Sequence, residues 1–175
     1  MIKIKDREFE TFVSEAELDG IVRRLAAEVS RDYDGCNLVV CPVLTGAFMF
    51  ATDLMRQLTI DCEVSFVRVS SYQGMSSTGT VECSLPFPKT LKGRDVLIVE
   101  DVVDTGITMG RLLDDVWRLE PRSVKVCTLF FKPAAFGGDF KVDYVGREIG
   151  NEYIVGYGMD YDEAGRTLGA VYVVK

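Results

Sequence analysis

Apolar and polar residues recur along this chain in two rhythms, one near 3.6 and one near 2, and the switches between them predict the elements. Leu18, Ile21, Val22, Leu25 and Val29 follow helical spacing behind Ser14-Glu15-Ala16-Glu17, a capping box, which predicts a helix from about Glu15 to Arg31. A Val-rich run from Asn37 to Val43, broken by Pro42, leads through Gly46 into a second helical pattern from Ala47 to Leu58. Asp61 to Val69 has the character of a strand. Ser70 to Lys92 collects Ser, Thr, Gly and Pro with little periodicity, and a loop of that length in a compact domain is often functional. The second half repeats the scheme: Asp95 to Val99 is a buried strand, and Met109, Leu112, Leu113, Val116 and Leu119 share a helical face that Pro121 ends. Val124 to Phe131, Lys141 to Val145 and Tyr153 to Val155 follow as strands, with Gly169 to Val174 closing an edge. Strands alternating with helices predict an α/β fold, a mainly parallel sheet flanked by helices, with ligands beyond the carboxyl ends of the strands.

Composition narrows the chemistry. The 175 residues, 47% of them apolar, are enough for one domain with one buried core, and no repeat or linker divides them. A net charge of -7 speaks against a surface tuned for nucleic acid or an anionic membrane, so an anionic ligand must be held by local groups. Five cysteines (Cys36, Cys41, Cys62, Cys83, Cys127) with no C-x-x-C pair predict reduced, mostly buried thiols. No stretch has the character of a signal peptide or approaches a membrane span, which leads to a cytoplasmic expectation. The chain contains no histidine, which removes imidazole bases, His metal ligands and Ser-His-Asp triads. Acid-base work must fall to Asp, Glu, Lys or Tyr.

The most informative stretch runs from Val96 to Thr108. A hydrophobic strand passes into Glu100-Asp101-Val102-Val103-Asp104, and then Thr105-Gly106-Ile107-Thr108 opens the next helix. Backbone N–H groups at a helix start, with a glycine that permits close approach, form a cradle for a phosphate monoester. The stretch holds no lysine, unlike a Walker A loop, and its carboxylates would repel a bare polyphosphate. They suit a sugar and its cation: Glu100 and Asp101 can accept from a cis-diol and help hold Mg²⁺, which prefers oxygen ligands. The plainer alternative is that these acids only cap a helix or face solvent.

This stretch resembles the phosphoribosyl pyrophosphate signature of type I phosphoribosyltransferases, in the form found in hypoxanthine-guanine enzymes. Other segments resemble that family in the right order. Val43-Leu44-Thr45-Gly46 is similar to its pyrophosphate loop, and Ser70-Ser71-Tyr72 to the start of its mobile loop. Leu129-Phe130-Phe131-Lys132-Pro133 is similar to the segment whose lysine reads the purine 6-oxo group. Tyr153 to Tyr161 resembles the base-stacking segment, and Arg166 falls at a pyrophosphate-binding arginine.

The resemblance implies the type I phosphoribosyltransferase fold as a single domain over 1–175, with a core over about 35–145, a mobile loop over about 70–92 and a small hood subdomain from about 1–14 and 146–175. It implies transfer of ribose 5-phosphate from phosphoribosyl pyrophosphate to N9 of a 6-oxopurine, giving IMP or GMP and pyrophosphate, with Mg²⁺ as cofactor and a homodimer or homotetramer as assembly. Neither nucleic acid nor membrane is an implied partner. On these positions, Glu100 and Asp101 would hold the ribose hydroxyls and a metal, and Thr105, Gly106, Ile107 and Thr108 the 5-phosphate. Asp104 would be the acid or base at purine N7. Lys132 would donate to O6, Tyr153 would stack on the base, the Ile154 main chain would meet its edge, and Asp160 would help with a second Mg²⁺. Leu44, Thr45, Gly46 and Arg166 would meet the pyrophosphate, and Ser71 and Tyr72 would close over the reaction.

Three features depart from the family. Thr45 stands where lysine is usual, Ala134-Ala135-Phe136 stands where many relatives are basic, and Cys83 to Pro88 lacks the expected charged pattern. Two other readings compete: a nucleotide-sensing regulator that keeps the pocket without turnover, and a transferase for adenine, orotate or uracil. Asp104, Lys132 and Arg166 together favour an enzyme over the regulator, and Lys132 with the Tyr153 to Asp160 segment speaks against the other transferases.

Overall fold

The computed structural model describes residues 1–69 and 91–175 and the backbone of 70 and 82–83; Ser71 and Tyr72 lie outside the described residues. In chain order the elements are β1 (Ile2–Ile4), β2 (Arg7–Val13), α1 (Glu15–Asp32), β3 (Leu38–Leu44), α2 (Phe48–Gln57), β4 (Glu63–Val64), β5 (Val67–Ser70), β6 (Glu82–Cys83), β7 (Asp95–Val103), α3 (Ile107–Trp117), β8 (Ser123–Phe131), β9 (Tyr144–Glu148), β10 (Ile154–Val155) and β11 (Val171–Val174).

The larger sheet runs β6-β5-β3-β7-β8-β9, with β4 also paired to β3. All of its pairings are parallel except β5 with β6. Side chains alternate across its strands, so the two faces collect separate clusters. Leu38, Val40, Leu97 and Val99 meet Leu18, Val22 and Leu25 of α1 and Phe50 and Leu54 of α2. Val39, Cys41, Val96 and Ile98 meet Met109, Leu112 and Val116 of α3 on the other face. Such two-sided burial is why β3 and the first half of β7 read as continuous apolar runs. The helix expected from the capping box is present, with Glu17 N–H donating to Ser14 Oγ at 3.3 Å and Ser14 N–H to Glu17 Oε2 at 2.9 Å. Such a cap contributes about 1 kcal/mol, less than burial of one of the leucines beside it, roughly 1.5–3 kcal/mol.

A second, antiparallel sheet joins the chain ends in the order β1-β2-β11-β10. The segment from Gly169 to Val174, expected at an edge, therefore supplies an interior strand, since β11 pairs with both β2 and β10. Three further boundaries differ from expectation. Asp61 to Val69 divides into β4 and β5 around buried Ser65, whose N–H donates to the Val40 carbonyl at 2.9 Å. β7 continues beyond Val99 to Val103, because its backbone stays paired with β8 past the acids at Glu100 and Asp101. β9 begins at Tyr144, which the pairing Cys127 with Tyr144 dictates, and Lys141 to Asp143 precede it.

Cys41 and Cys127 are buried, Cys36 and Cys62 partly so, and all four thiols are free. Burial pushes the Cys41 thiol up to about 12, so it is no nucleophile at neutral pH. Among the described residues no helix is long and apolar enough to cross a membrane.

Candidate active site

β7 and β8 end side by side. Their register pairs Val103 with Phe131, so the next residues, Asp104 and Lys132, emerge from adjacent strand ends. Lys132 N–H donates to the Val103 carbonyl at 3.0 Å, and Lys132 Nζ donates to Asp104 Oδ2 at 3.0 Å. The lysine side chain is 12% exposed and the aspartate 48%, so the pair offers its carboxylate to the cleft and keeps the ammonium in the wall. One anionic acceptor and one cationic donor thus stand within one hydrogen bond of each other, separated in sequence by 28 residues.

Glu100 and Asp101 occupy the preceding positions of β7. Asp101 N–H donates to Glu100 Oε1 at 3.1 Å, and Val102 N–H to Asp101 Oδ1 at 2.7 Å. Burial pushes the Glu100 carboxyl well above the ordinary carboxylate range, and the charge of Asp101 adds to this. Burial also raises Asp101, against the opposing hydrogen bonds and the positive charge of Arg166. Two crowded carboxylates with oxygen donors only suit a hard cation. Among the described residues no three His, Cys, Asp or Glu side chains gather where they could hold one ion, so a cation on this pair would complete its shell with water or substrate oxygens.

The turn after Asp104 has the geometry of an anion cradle. Gly106 lies at φ 82, a left-handed conformation that glycine adopts without strain, and α3 starts immediately after it. Its first turn carries no acidic side chain, and the leading N–H groups of a helix have no partner within it. Thr105 Oγ1 accepts from Ile107 N–H at 3.4 Å. Thr105, Ile107 and Thr108 are exposed, and Glu100, Asp104, Thr105, Gly106 and Thr108 help line a cavity of about 110 Å³. A larger cavity of about 470 Å³, among Glu15, Asp19, Asp53 and Tyr157, shares none of these residues.

Leu44 and Thr45 leave the end of β3, and Gly46 abuts the acid pair: a Cβ there would overlap the Asp101 carboxylate. Gly158 in turn lies so close that a Cβ on it would overlap the Gly46 carbonyl. Arg166 is anchored on this contact, donating from Nη1 to the Gly158 carbonyl at 3.0 Å, while Nη2 forms an ion pair with Asp160 Oδ1 at 2.8 Å. The other Asp160 oxygen accepts from Glu163 N–H at 2.8 Å. Tyr153 is 51% exposed, its hydroxyl donating to the Asp160 carbonyl at 3.1 Å and its ring edge-on to Tyr161. Ile154 is buried in β10.

The structure thus gathers Glu100, Asp101, Asp104, Thr105 to Thr108 and Lys132 at one sheet edge, and links Gly46, Asp160 and Arg166 to it through Gly158. Asp160 does not join the acid pair in one cluster. Gly158 and the edge contact of Tyr161 escaped the sequence reading, because their roles depend on contacts between distant segments.

Comparison with known proteins places the chain in a family. A model of the phosphoribosyl transferase domain matches residues 14–162. The bifunctional TilS/HprT protein of Listeria monocytogenes is 40% identical over 164 residues, 93% of this chain and 25% of that protein, so the chain spans about a quarter of that relative. The hypoxanthine-guanine-xanthine phosphoribosyltransferase of Tritrichomonas foetus is 41% identical over 155 residues, 88% of this chain and 85% of the relative. The crystal structure of a hypoxanthine-guanine phosphoribosyltransferase from Bacillus anthracis superposes with a TM-score of 0.90 at 36% identity, covering 97% of this chain and 98% of that one.

Proposed function

This chain belongs to the phosphoribosyl transferase domain family, and on that footing we propose that it is a purine-salvage enzyme, transferring ribose 5-phosphate from phosphoribosyl pyrophosphate to N9 of hypoxanthine or guanine. The products are IMP or GMP and pyrophosphate. The observation that carries this reading is the Asp104 and Lys132 pair, 3.0 Å apart beside the phosphate turn. A 6-oxopurine presents an N7 and an O6 on one edge, and an aspartate beside a lysine matches that edge.

Substitution at the anomeric carbon passes through an oxocarbenium-like state in which pyrophosphate departs before the base nitrogen is fully bonded. Catalysis is therefore mainly positional and electrostatic. The turn Thr105 to Thr108 holds the 5-phosphate with the first N–H groups of α3. Glu100 and Asp101 accept from the ribose hydroxyls and face the electron-poor sugar. Asp104 exchanges a proton at N7, Lys132 donates to O6, and Tyr153 stacks on the ring beside the main chain of Ile154. Leu44, Thr45 and Gly46 offer backbone to the pyrophosphate, and Arg166 offsets its charge. Ser71 and Tyr72 serve to exclude water, the competing nucleophile. Glu100 and Asp101 would hold one Mg²⁺ and Asp160 would help with a second. When bound, the metal supplies charge stabilisation to the leaving pyrophosphate.

The chain works as one domain in a cytoplasmic homodimer or homotetramer, its core over about 35–145 holding the phosphoribosyl group and its hood, about 1–14 and 146–175, the base. Nothing observed favours a regulator without turnover. Nucleotide formation from phosphoribosyl pyrophosphate with hypoxanthine, guanine and xanthine in turn tests the assignment. Turnover with at least one is expected, whereas IMP binding without turnover for any base would overturn the enzyme reading.

Thr45 is exposed and gives the pyrophosphate no charge where the family usually has lysine. Thr45→Lys is therefore expected to tighten product inhibition by pyrophosphate by up to about fivefold, the scale of an exposed ion pair, with a steeper salt dependence. An unchanged inhibition constant would mean that backbone donors alone set this contact.

A further inference from the structure

Directly after Lys132 the chain curls back on the phosphate turn. Ala135 and Phe136 N–H groups both donate to the Lys132 carbonyl at 3.1 Å, and Gly137 N–H donates to the Thr105 carbonyl at 3.1 Å. This short return brings the Phe136 ring against Gly106: a Cβ on that glycine would lie 2.7 Å from Phe136 Cε2 and 3.3 Å from Phe140 Cε1. The rings are fixed in series, Phe131 edge-on to Phe136 at 5.2 Å and Phe136 perpendicular to Phe140 at 5.1 Å. Gly138 makes the wrapping feasible, since a Cβ there would come within 2.9 Å of both rings. One turn along α3, the Cβ position of Gly110 lies 3.8 Å from Phe140.

A glycine at positive φ brings the backbone close to an anion, but it also leaves the turn free to take other conformations. Within the turn the side-chain restraint is one long bond, from Ile107 N–H to Thr105 Oγ1 at 3.4 Å, and α3 has no side-chain cap at Gly106. Packing from outside adds the further constraint. We propose that Phe136, seated by Phe131 and Phe140, is a positioning residue that holds the Thr105 to Thr108 turn in its phosphate-binding shape. It occupies the space a side chain at 106 would fill. The same segment begins at Lys132, so the group that reads the base edge and the turn that holds the phosphate share one support. This inference rests on the reading that the turn binds the 5-phosphate.

The test is direct binding of ribose 5-phosphate, and separately of pyrophosphate, by calorimetry on the parent and on Phe136→Ala, Phe136→Tyr and Thr105→Ala. Phe136→Ala is expected to weaken ribose 5-phosphate by about 10- to 100-fold, the scale of a displaced hydrogen bond to a charged group. Pyrophosphate binding should change by less than about threefold, and Phe136→Tyr, which keeps the ring, should restore the parent value. In turnover the loss should fall on KM for phosphoribosyl pyrophosphate more than on kcat. If Phe136→Ala does not fold, Phe136→Leu carries the same expectation at a reduced scale. Equal loss for both ligands, or no loss for ribose 5-phosphate while Thr105→Ala weakens it, would overturn the proposal. If neither variant weakens ribose 5-phosphate, the turn is not its site and the underlying reading fails instead.

Discussion

Asp104→Asn is expected to lower kcat by about 10² to 10⁴ while leaving the binding of phosphoribosyl pyrophosphate nearly unchanged, the usual range for losing a general acid-base group. The substitution preserves shape and an oxygen acceptor, so Lys132, now 3.0 Å from the carboxylate, keeps a partner. On the proposed role, what it removes is the ability to take and return a proton at N7. The change leaves Lys132, 12% exposed, with a neutral acceptor in place of its countercharge, so a small fall in the thermal midpoint is expected while the fold is kept. Steady-state kinetics with both substrates, together with the thermal midpoint, separate these effects. Unchanged kcat would remove Asp104 from the chemistry.

A second large effect is expected in the choice of base. Lys132 has only donors, and it can satisfy the O6 acceptor of hypoxanthine or guanine but meets another donor in the amine of adenine. A hydrogen bond to a charged group is worth roughly 1.5–3 kcal/mol, and the mismatch adds a desolvation cost of similar order. Discrimination of about 10² or more in kcat/KM follows. The 12% exposure of the lysine side chain supports the high end, because water has little room to relieve the mismatch. Lys132→Ala should lower kcat/KM for hypoxanthine and barely change the poor value for adenine. Equal loss for both bases would show that this lysine does not read position 6. Stacking on Tyr153 is indifferent to the 6-substituent, so Tyr153→Ala provides the contrast, harming both bases in similar proportion.

Much of the core was legible because its signals are local. The capping box at Ser14 and the apolar stripe behind it lie within one helix, and the run from Val96 to Val99 reports burial on both faces of a parallel strand. The β1–β2 hairpin was not legible. Ile4 and Arg7 close a two-residue loop, Lys5-Asp6, in which Lys5 takes φ 52 without the Asn-Gly or Asp-Gly signal that such a turn usually carries. Its sheet partner, β11, is more than 150 residues away, and no local rhythm reports such a pairing. The end of β7 was underestimated for a related reason: polar side chains at Glu100 and Asp101 look like a strand's end, although backbone pairing to β8 continues through Val103.

The candidate site divides along the same line. Acids followed by a Thr-Gly turn stand together in sequence, so the end of the site proposed for sugar and phosphate could be read directly. The contact of Asp104 with Lys132 depends on the register of β7 with β8, and that of Gly46 with Asp101 on the seating of β3 beside β7. Resemblance to a family supplied those residues without their geometry. Phe136 appeared in the sequence only as a departure from basic relatives, and its place against Gly106 became visible once the rings could be seen to pack.

The central claim, a transferase that recognises the N7 and O6 edge of its base, is tested most directly by kcat/KM of the parent protein for hypoxanthine and for adenine, each with phosphoribosyl pyrophosphate and Mg²⁺. IMP and pyrophosphate formed in equal amounts, with hypoxanthine favoured by about 10² or more, is the result expected. AMP formed at a comparable rate, or no nucleotide formed from hypoxanthine, would contradict it.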